Sequence, residues 1–119
     1  MRGPTYAGRV SHEEVRVSAD IGALSIRVAE AATTIISDAV KSRGRCAVAL
    51  SGGGTPKALY TLLASRFRDA IPWTRVHVFW ADERYVPAGD AHSNYTMAKE
   101  ALLDHVPCPP GNIHPMPTT

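Results

Sequence analysis

The stretch Cys46-Ala47-Val48-Ala49-Leu50-Ser51-Gly52-Gly53-Gly54-Thr55-Pro56-Lys57 decides the architecture. Its first five residues are apolar without alternation, the pattern of a strand covered on both faces in a parallel sheet. The glycines that follow permit positive φ and keep side chains away from an approaching ligand. Thr55 and Pro56 then open a helix, with Thr55 expected at the N-cap and Pro56 at the first helical position, where a missing N–H costs nothing. Leu59, Leu62, Leu63 and Phe67 supply its buried face. A strand that feeds a glycine loop and a helix N-terminus presents free amides and a dipole that favour an anion, typically phosphate. The Ser51 and Thr55 hydroxyls add donors. The same residues also suit a plain tight turn with a capping threonine. No Gly-Lys-Ser/Thr follows at Walker spacing, and Lys57 stands where a dinucleotide fingerprint needs its third glycine, so nucleotide binding loses support.

Working outward, Asp20 is an N-cap candidate. After it Ile21, Leu24, Val28, Ala31, Ala32, Ile35, Ala39 and Val40 recur at helical spacing as one apolar stripe. Gly44, following Lys41 and Arg43, stops that helix. Residues 14–17 read as a short first strand, and 1–12, with Gly3, Pro4 and Gly8, as an irregular lead-in. Downstream, Val76-His77-Val78-Phe79-Trp80-Ala81 is a second buried-type strand that runs into Asp82-Glu83-Arg84. Ser93 can cap a last helix whose apolar face is Met97, Ala98, Ala101, Leu102 and Val106. Five of the nine prolines fall in 107–117, which excludes an α-helix there. The order β-α-β-α-β-α predicts an α/β fold with a mostly parallel sheet, the domain occupying 13–119.

Ligands of open parallel sheets bind beyond the carboxyl ends of the strands. Both the glycine loop and the Asp82-Glu83-Arg84 segment meet that criterion. A carboxylate pair and an arginine at a strand end can orient hydroxyls and clamp a phosphate, although such clusters are also common as solvated turns with a local salt bridge. Asn94, near the start of the last helix, faces the same side or simply supports the helix entry. His92 is the only local candidate for a general base, with no side chain expected to orient it. His77 reads as a core or rim residue, and His105 suits a helix C-terminus. His12 and His114 carry little signal. The histidine and cysteine spacings match no metal-ligand pattern.

The chain has 119 residues, 45% hydrophobic and 20% charged, which suits one globular domain or a piece of a larger one. A net charge of +2, with its charges scattered, points to neither a nucleic-acid nor a membrane partner. No apolar run approaches the roughly 20 residues of a membrane helix, and no apolar segment marks a signal peptide. Cys46 and Cys108 suit a reduced, cytoplasmic protein.

Several separate segments together resemble the amino-terminal half of the 6-phosphogluconolactonase family. They are Leu50-Ser51-Gly52-Gly53-Gly54-Thr55-Pro56 followed by Leu59-Tyr60 and Leu62-Leu63, then Ile71-Pro72-Trp73, Val76 through Pro87, Ser93-Asn94-Tyr95 and Asn112-Ile113-His114. That family shares its fold with glucosamine-6-phosphate isomerase/deaminase. The resemblance implies a three-layer, Rossmann-like α/β sheet with helices on both faces. It implies a cytoplasmic hydrolase of the oxidative pentose phosphate pathway that opens 6-phospho-D-glucono-1,5-lactone to 6-phosphogluconate with no cofactor. It places Ser51, Gly52, Gly53, Gly54, Thr55, Arg84 and Asn94 at the substrate and gives Asp82 an organising role. Arg84 stands where the isomerases typically carry tyrosine, which favours the lactonase. Gly54 departs from a position that is often serine. The family's presumed water-activating histidine lies in a Gly-x-Asp-Gly-His motif with no match in these residues. The chain is therefore expected to be a carboxyl-truncated portion of the domain, inactive alone, marginally stable or self-associating, because an incomplete sheet leaves an edge and apolar surface exposed. An isomerase/deaminase and a non-catalytic sugar-phosphate-binding module remain the competing readings.

Overall fold

A computed structural model of the chain describes residues 14–118; the lead-in expected at 1–12, and His12 with it, lies outside them. Helix α1, Ile21–Arg43, begins where predicted: the Asp20 carboxylate accepts from the Ala23 amide at 2.8 Å. It ends at Gly44, whose φ of 79° is the left-handed cap that glycine adopts without a Cβ penalty. Strand β1, Cys46–Leu50, leads through the glycine loop into α2, Gly54–Ser65. Strand β2, Val76–Trp80, and α3, Asn94–Ala101, complete the regular elements. The predicted strand at 14–17 does not form. Those residues have no strand partner, and Val15 and Val17 are exposed. Within the proline-rich 107–117, Pro110–Asn112 makes one 3-10 turn.

β1 and β2 pair in parallel, Cys46 opposite Val76 through Leu50 opposite Trp80. Beyond β2, Ile113 forms a single parallel bridge to Val78, with the His114 amide donating to the Val78 carbonyl at 2.9 Å. Cys46, Val48 and Leu50 share one sheet face with Val76, Val78 and Trp80, because side chains alternate along a strand. The helices pack against this face. Ala47, Ala49 and Phe79, on the opposite face, are exposed. The expectation of strands covered on both faces is thus met on one side only among the described residues. On the open side Phe79 and His114 stack, and His77 Nδ1 lies 3.3 Å from His114 Nε2.

The stripe on α1 is also corrected. Ser25, Ala29, Ile36 and Ala39 are its buried residues, whereas Ile21, Val28 and Ile35 are exposed. The apolar stripe is wider than the surface it meets, so its outer edge stays in solvent. A cavity of about 340 Å3 remains between α1, α2 and the sheet, lined by Leu24, Leu59, Trp73 and Leu102 among others. Cys46 and Cys108 are free and buried, and burial pushes the Cys108 thiol up from its ordinary value.

Candidate functional site

The loop after β1 departs from the expected cap. Gly53, not Thr55, is the N-cap of α2: its φ is 105°, and its carbonyl accepts from Lys57 N at 3.1 Å. Gly54, Thr55 and Pro56 are then the first three helical residues. Pro56 still falls within the turn where no intrahelical partner for an amide exists, so it costs nothing there. No side chain caps this helix end. The amides of the first turn thus have no side-chain acceptor at the positive end of the helix dipole. Ser51, Gly53, Gly54, Thr55 and Lys57 are all exposed.

Tyr60, to which the sequence assigned no role at the site, holds the loop. The Tyr60 hydroxyl donates to the Ser51 carbonyl at 2.7 Å and accepts from the Ser51 amide at 2.8 Å. Tyr60 is buried, and burial raises its pKa while the Ser51 bond acts against that rise. Its position in the apolar run of α2 makes it look like core, yet a buried phenol needs a polar partner. Tyr60→Phe leaves the Ser51 amide without an acceptor and is expected to cost about 1–3 kcal/mol in urea unfolding. An unchanged midpoint would show that the loop is held by other means.

The segment after β2 turns toward the same loop. Asn94 is the joint: it is buried, and its side-chain amide donates to Asp82 Oδ1 at 3.2 Å and to the Asp82 carbonyl at 3.3 Å. The same side chain lies over Gly52, so closely that a Cβ on Gly52 would sit 2.5 Å from Asn94 Cγ. Gly52, Asp82 and Asn94 therefore form one cluster, which brings the ends of the two strands together. Arg84 is exposed beside it, and among the described residues its guanidinium meets no carboxylate. The local salt bridge considered for this segment does not form.

Glu83 goes to the helix instead. Its carboxylate accepts from the Arg84 and Asn94 amides at 2.7 Å each, from the Tyr95 amide at 2.8 Å and from the Ser93 hydroxyl at 3.1 Å. Ser93 is the predicted N-cap of α3 and accepts from Thr96 N at 3.2 Å. A capping box places its acid three residues after the cap, so an acid ten residues before it leaves no local sequence signal.

His92 is exposed and, contrary to expectation, has an orienting carboxylate: Asp90 Oδ1 lies 3.1 Å from its Nδ1 and 2.8 Å from its amide. The pair is a local turn, and it hydrogen-bonds to none of Gly52, Asp82 or Asn94. The His92 bonds hold the Asp90 carboxyl below its ordinary value. His105 follows α3 and reaches back with Nε2 to the Glu100 carbonyl at 2.9 Å. Among the described residues no three histidine, cysteine or acidic side chains cluster as metal ligands. No helix there is long and apolar enough to cross a membrane.

Residues 19–119 match the family model described as glucosamine-6-phosphate isomerases/6-phosphogluconolactonase. The chain is 55% identical over 86 residues to a 6-phosphogluconolactonase of Synechocystis, covering 72% of this chain and 35% of that protein. It is 45% identical over 104 residues to a Nostoc 6-phosphogluconolactonase, covering 87% of this chain and 42% of that one. The crystal structure of 6-phosphogluconolactonase from Thermotoga maritima superposes with a TM-score of 0.71 at 33% identity, over 78% of this chain and 41% of that one. The chain thus spans well under half the length of these relatives, and the likeness carries the α/β fold class.

Proposed function

The chain belongs to the glucosamine-6-phosphate isomerase/6-phosphogluconolactonase family, and from that premise we propose that it supplies the sugar-phosphate-binding half of a cytoplasmic lactonase. The reaction is hydrolysis of 6-phospho-D-glucono-1,5-lactone in the oxidative pentose phosphate pathway. Water adds to C1, the bond from C1 to the ring oxygen breaks, and the ring oxygen takes a proton to give 6-phosphogluconate. The observation that supports the reading is Asn94 seated between Gly52 and Asp82, which joins the glycine loop to the end of β2.

The roles follow from chemistry. The Gly54 and Thr55 amides and the Thr55 hydroxyl receive the phosphate at the head of α2, the end of a helix that favours an anion. Ser51 and Gly53 shape the loop. Arg84 adds a charged fork suited to phosphate or to the carboxylate of the product. Asp82, oriented by Asn94, organises sugar hydroxyls, and the base that activates water comes from the family motif that these residues do not contain. No cofactor is required.

Calorimetry with 6-phosphogluconate tests this reading. Arg84→Ala and Thr55→Ala are expected to weaken binding by about 10- to 100-fold for the arginine, the worth of a charged hydrogen bond, and by less for the threonine. Affinity unchanged in both variants overturns the site. Arg84 also supports the lactonase over the isomerase/deaminase, and preferential binding of glucosamine 6-phosphate would reverse that choice.

A further inference from the structure

The four free amides at the start of α3 can be accounted for one by one. Ser93 N donates to the Asp90 carbonyl at 3.0 Å, Asn94 N and Tyr95 N donate to Glu83, and Thr96 N donates to the Ser93 hydroxyl. This helix end is therefore fully occupied by protein, in contrast to the uncapped end of α2. Glu83 also accepts from Arg84 N, so one carboxylate grips the β2 exit loop and the α3 N-terminus together. Asp82 and Arg84 flank it directly in the chain, and Asn94 is the first residue of α3.

We propose that Glu83 is a positioning residue. By clasping the head of α3 it sets Asn94 over Gly52 and against Asp82, turns Arg84 outward beside the cleft, and leaves α2 as the one helix terminus there able to take the anion. The link to substrate rests on the function proposed above, whereas the clasp stands on geometry alone. Neutralising Glu83 weakens the hydrogen bonds it accepts, since a charged acceptor binds amides more strongly than a neutral one.

Burial pulls the Glu83 pKa up, and the bonds from Tyr95, Asn94, Arg84 and Ser93 outweigh it, so the carboxyl titrates below its ordinary value. Because the folded value is depressed, the clasp is at full strength above the unfolded value and is lost as pH falls through the folded one. The other titratable or charged groups around it are Asp82 and Arg84 on its own segment, Asp90 and His92 in the following loop, and Tyr95 on α3. Pro115, Met116 and Thr118, which line the same hollow, carry none.

The experiment is NMR on the full chain and its Glu83→Gln variant. In the unmodified chain the Arg84, Asn94 and Tyr95 amide resonances should shift together in acid, with one midpoint below the ordinary glutamate value. The contact between the Asn94 side chain and the Gly52 α-protons should fade over the same range, while β1–β2 contacts persist. The His92 amide reports Asp90 separately. Glu83→Gln should lose the Asn94–Gly52 contact at neutral pH and bind 6-phosphogluconate about tenfold more weakly, as for loss of one charge-assisted hydrogen bond. If the three amides titrate independently, or the Asn94–Gly52 contact survives loss of the charge, the proposal is wrong. Should the variant not fold, the acid titration of the unmodified chain decides. Should the chain titrate as described yet not bind 6-phosphogluconate, the proposed function fails and the clasp stands.

Discussion

Gly52→Ala is expected to abolish most 6-phosphogluconate binding, about 30-fold or more, and to lower stability by about 1–3 kcal/mol, the ordinary cost of forcing a methyl into a filled site. The reason is steric. Gly52 is not among the residues with positive φ, so its backbone alone would tolerate alanine. The obstacle is Asn94: the new methyl would lie 2.5 Å from its Cγ and 2.9 Å from its Nδ2. Asn94 is buried and bonded to Asp82, so it cannot swing aside without giving up those bonds. The double variant Gly52→Ala with Asn94→Ala separates the two effects. It removes the collision and should recover most of the stability, as expected of residues in direct contact. It should not recover binding, because Asp82 then has no amide to orient it. Denaturation curves and calorimetry on the three variants read both quantities. Full affinity in Gly52→Ala alone would mean that Asn94 is no part of the site.

What could be read in the sequence, and what could not, follows the range of each interaction. The ends of α1 were legible because Asp20 and Gly44 act on amides and carbonyls within one turn. Ser93 was legible for the same reason. The cap of α2 was misplaced because Thr-Pro is a strong local signal, yet Gly53 adopts a φ that the expected N-cap, Thr55, rarely can. The residue types at the site were also visible, since a glycine loop and a charged cluster after two apolar runs place themselves at one sheet edge. What joins them was not visible. Asn94 over Gly52, Glu83 on the α3 amides and Tyr60 on Ser51 all act between residues nine or more positions apart. No periodicity encodes such pairs, because they depend on how the strands and helices are packed. The strand expected at 14–17 failed for a related reason: a strand needs a neighbour, and β1 pairs only with β2 among the described residues.

Leu102→Ala is expected to cost about 2–5 kcal/mol, the range for truncating a fully buried leucine. Leu102 is 1% exposed and ends α3 where the chain turns into the Leu103–His105 helical turn. It lines the cavity that also touches Trp73, Val76 and Val78, so truncation enlarges an existing void. A site that cannot collapse lies at the upper end of the range, because the lost contacts are not replaced. Phe79→Ser is the informative counterpart. It removes a larger side chain from β2, one residue after the buried Val78, but on the face that no helix covers among the described residues. There it forfeits the stack on His114 and only part of a side chain's burial, and should cost less than Leu102→Ala. Urea unfolding of both variants measures the difference directly. A two-sided sheet would give comparable losses, whereas the observed alternation requires Leu102 to dominate. Among the described residues Ala47, Ala49 and Phe79 lie on this open face beside an edge of β1 that has no partner, and exposed apolar strands are expected to associate through such edges. Sedimentation should therefore show Phe79→Ser to be less associated than the unmodified chain. Equal losses of stability in the two variants would refute the one-sided core.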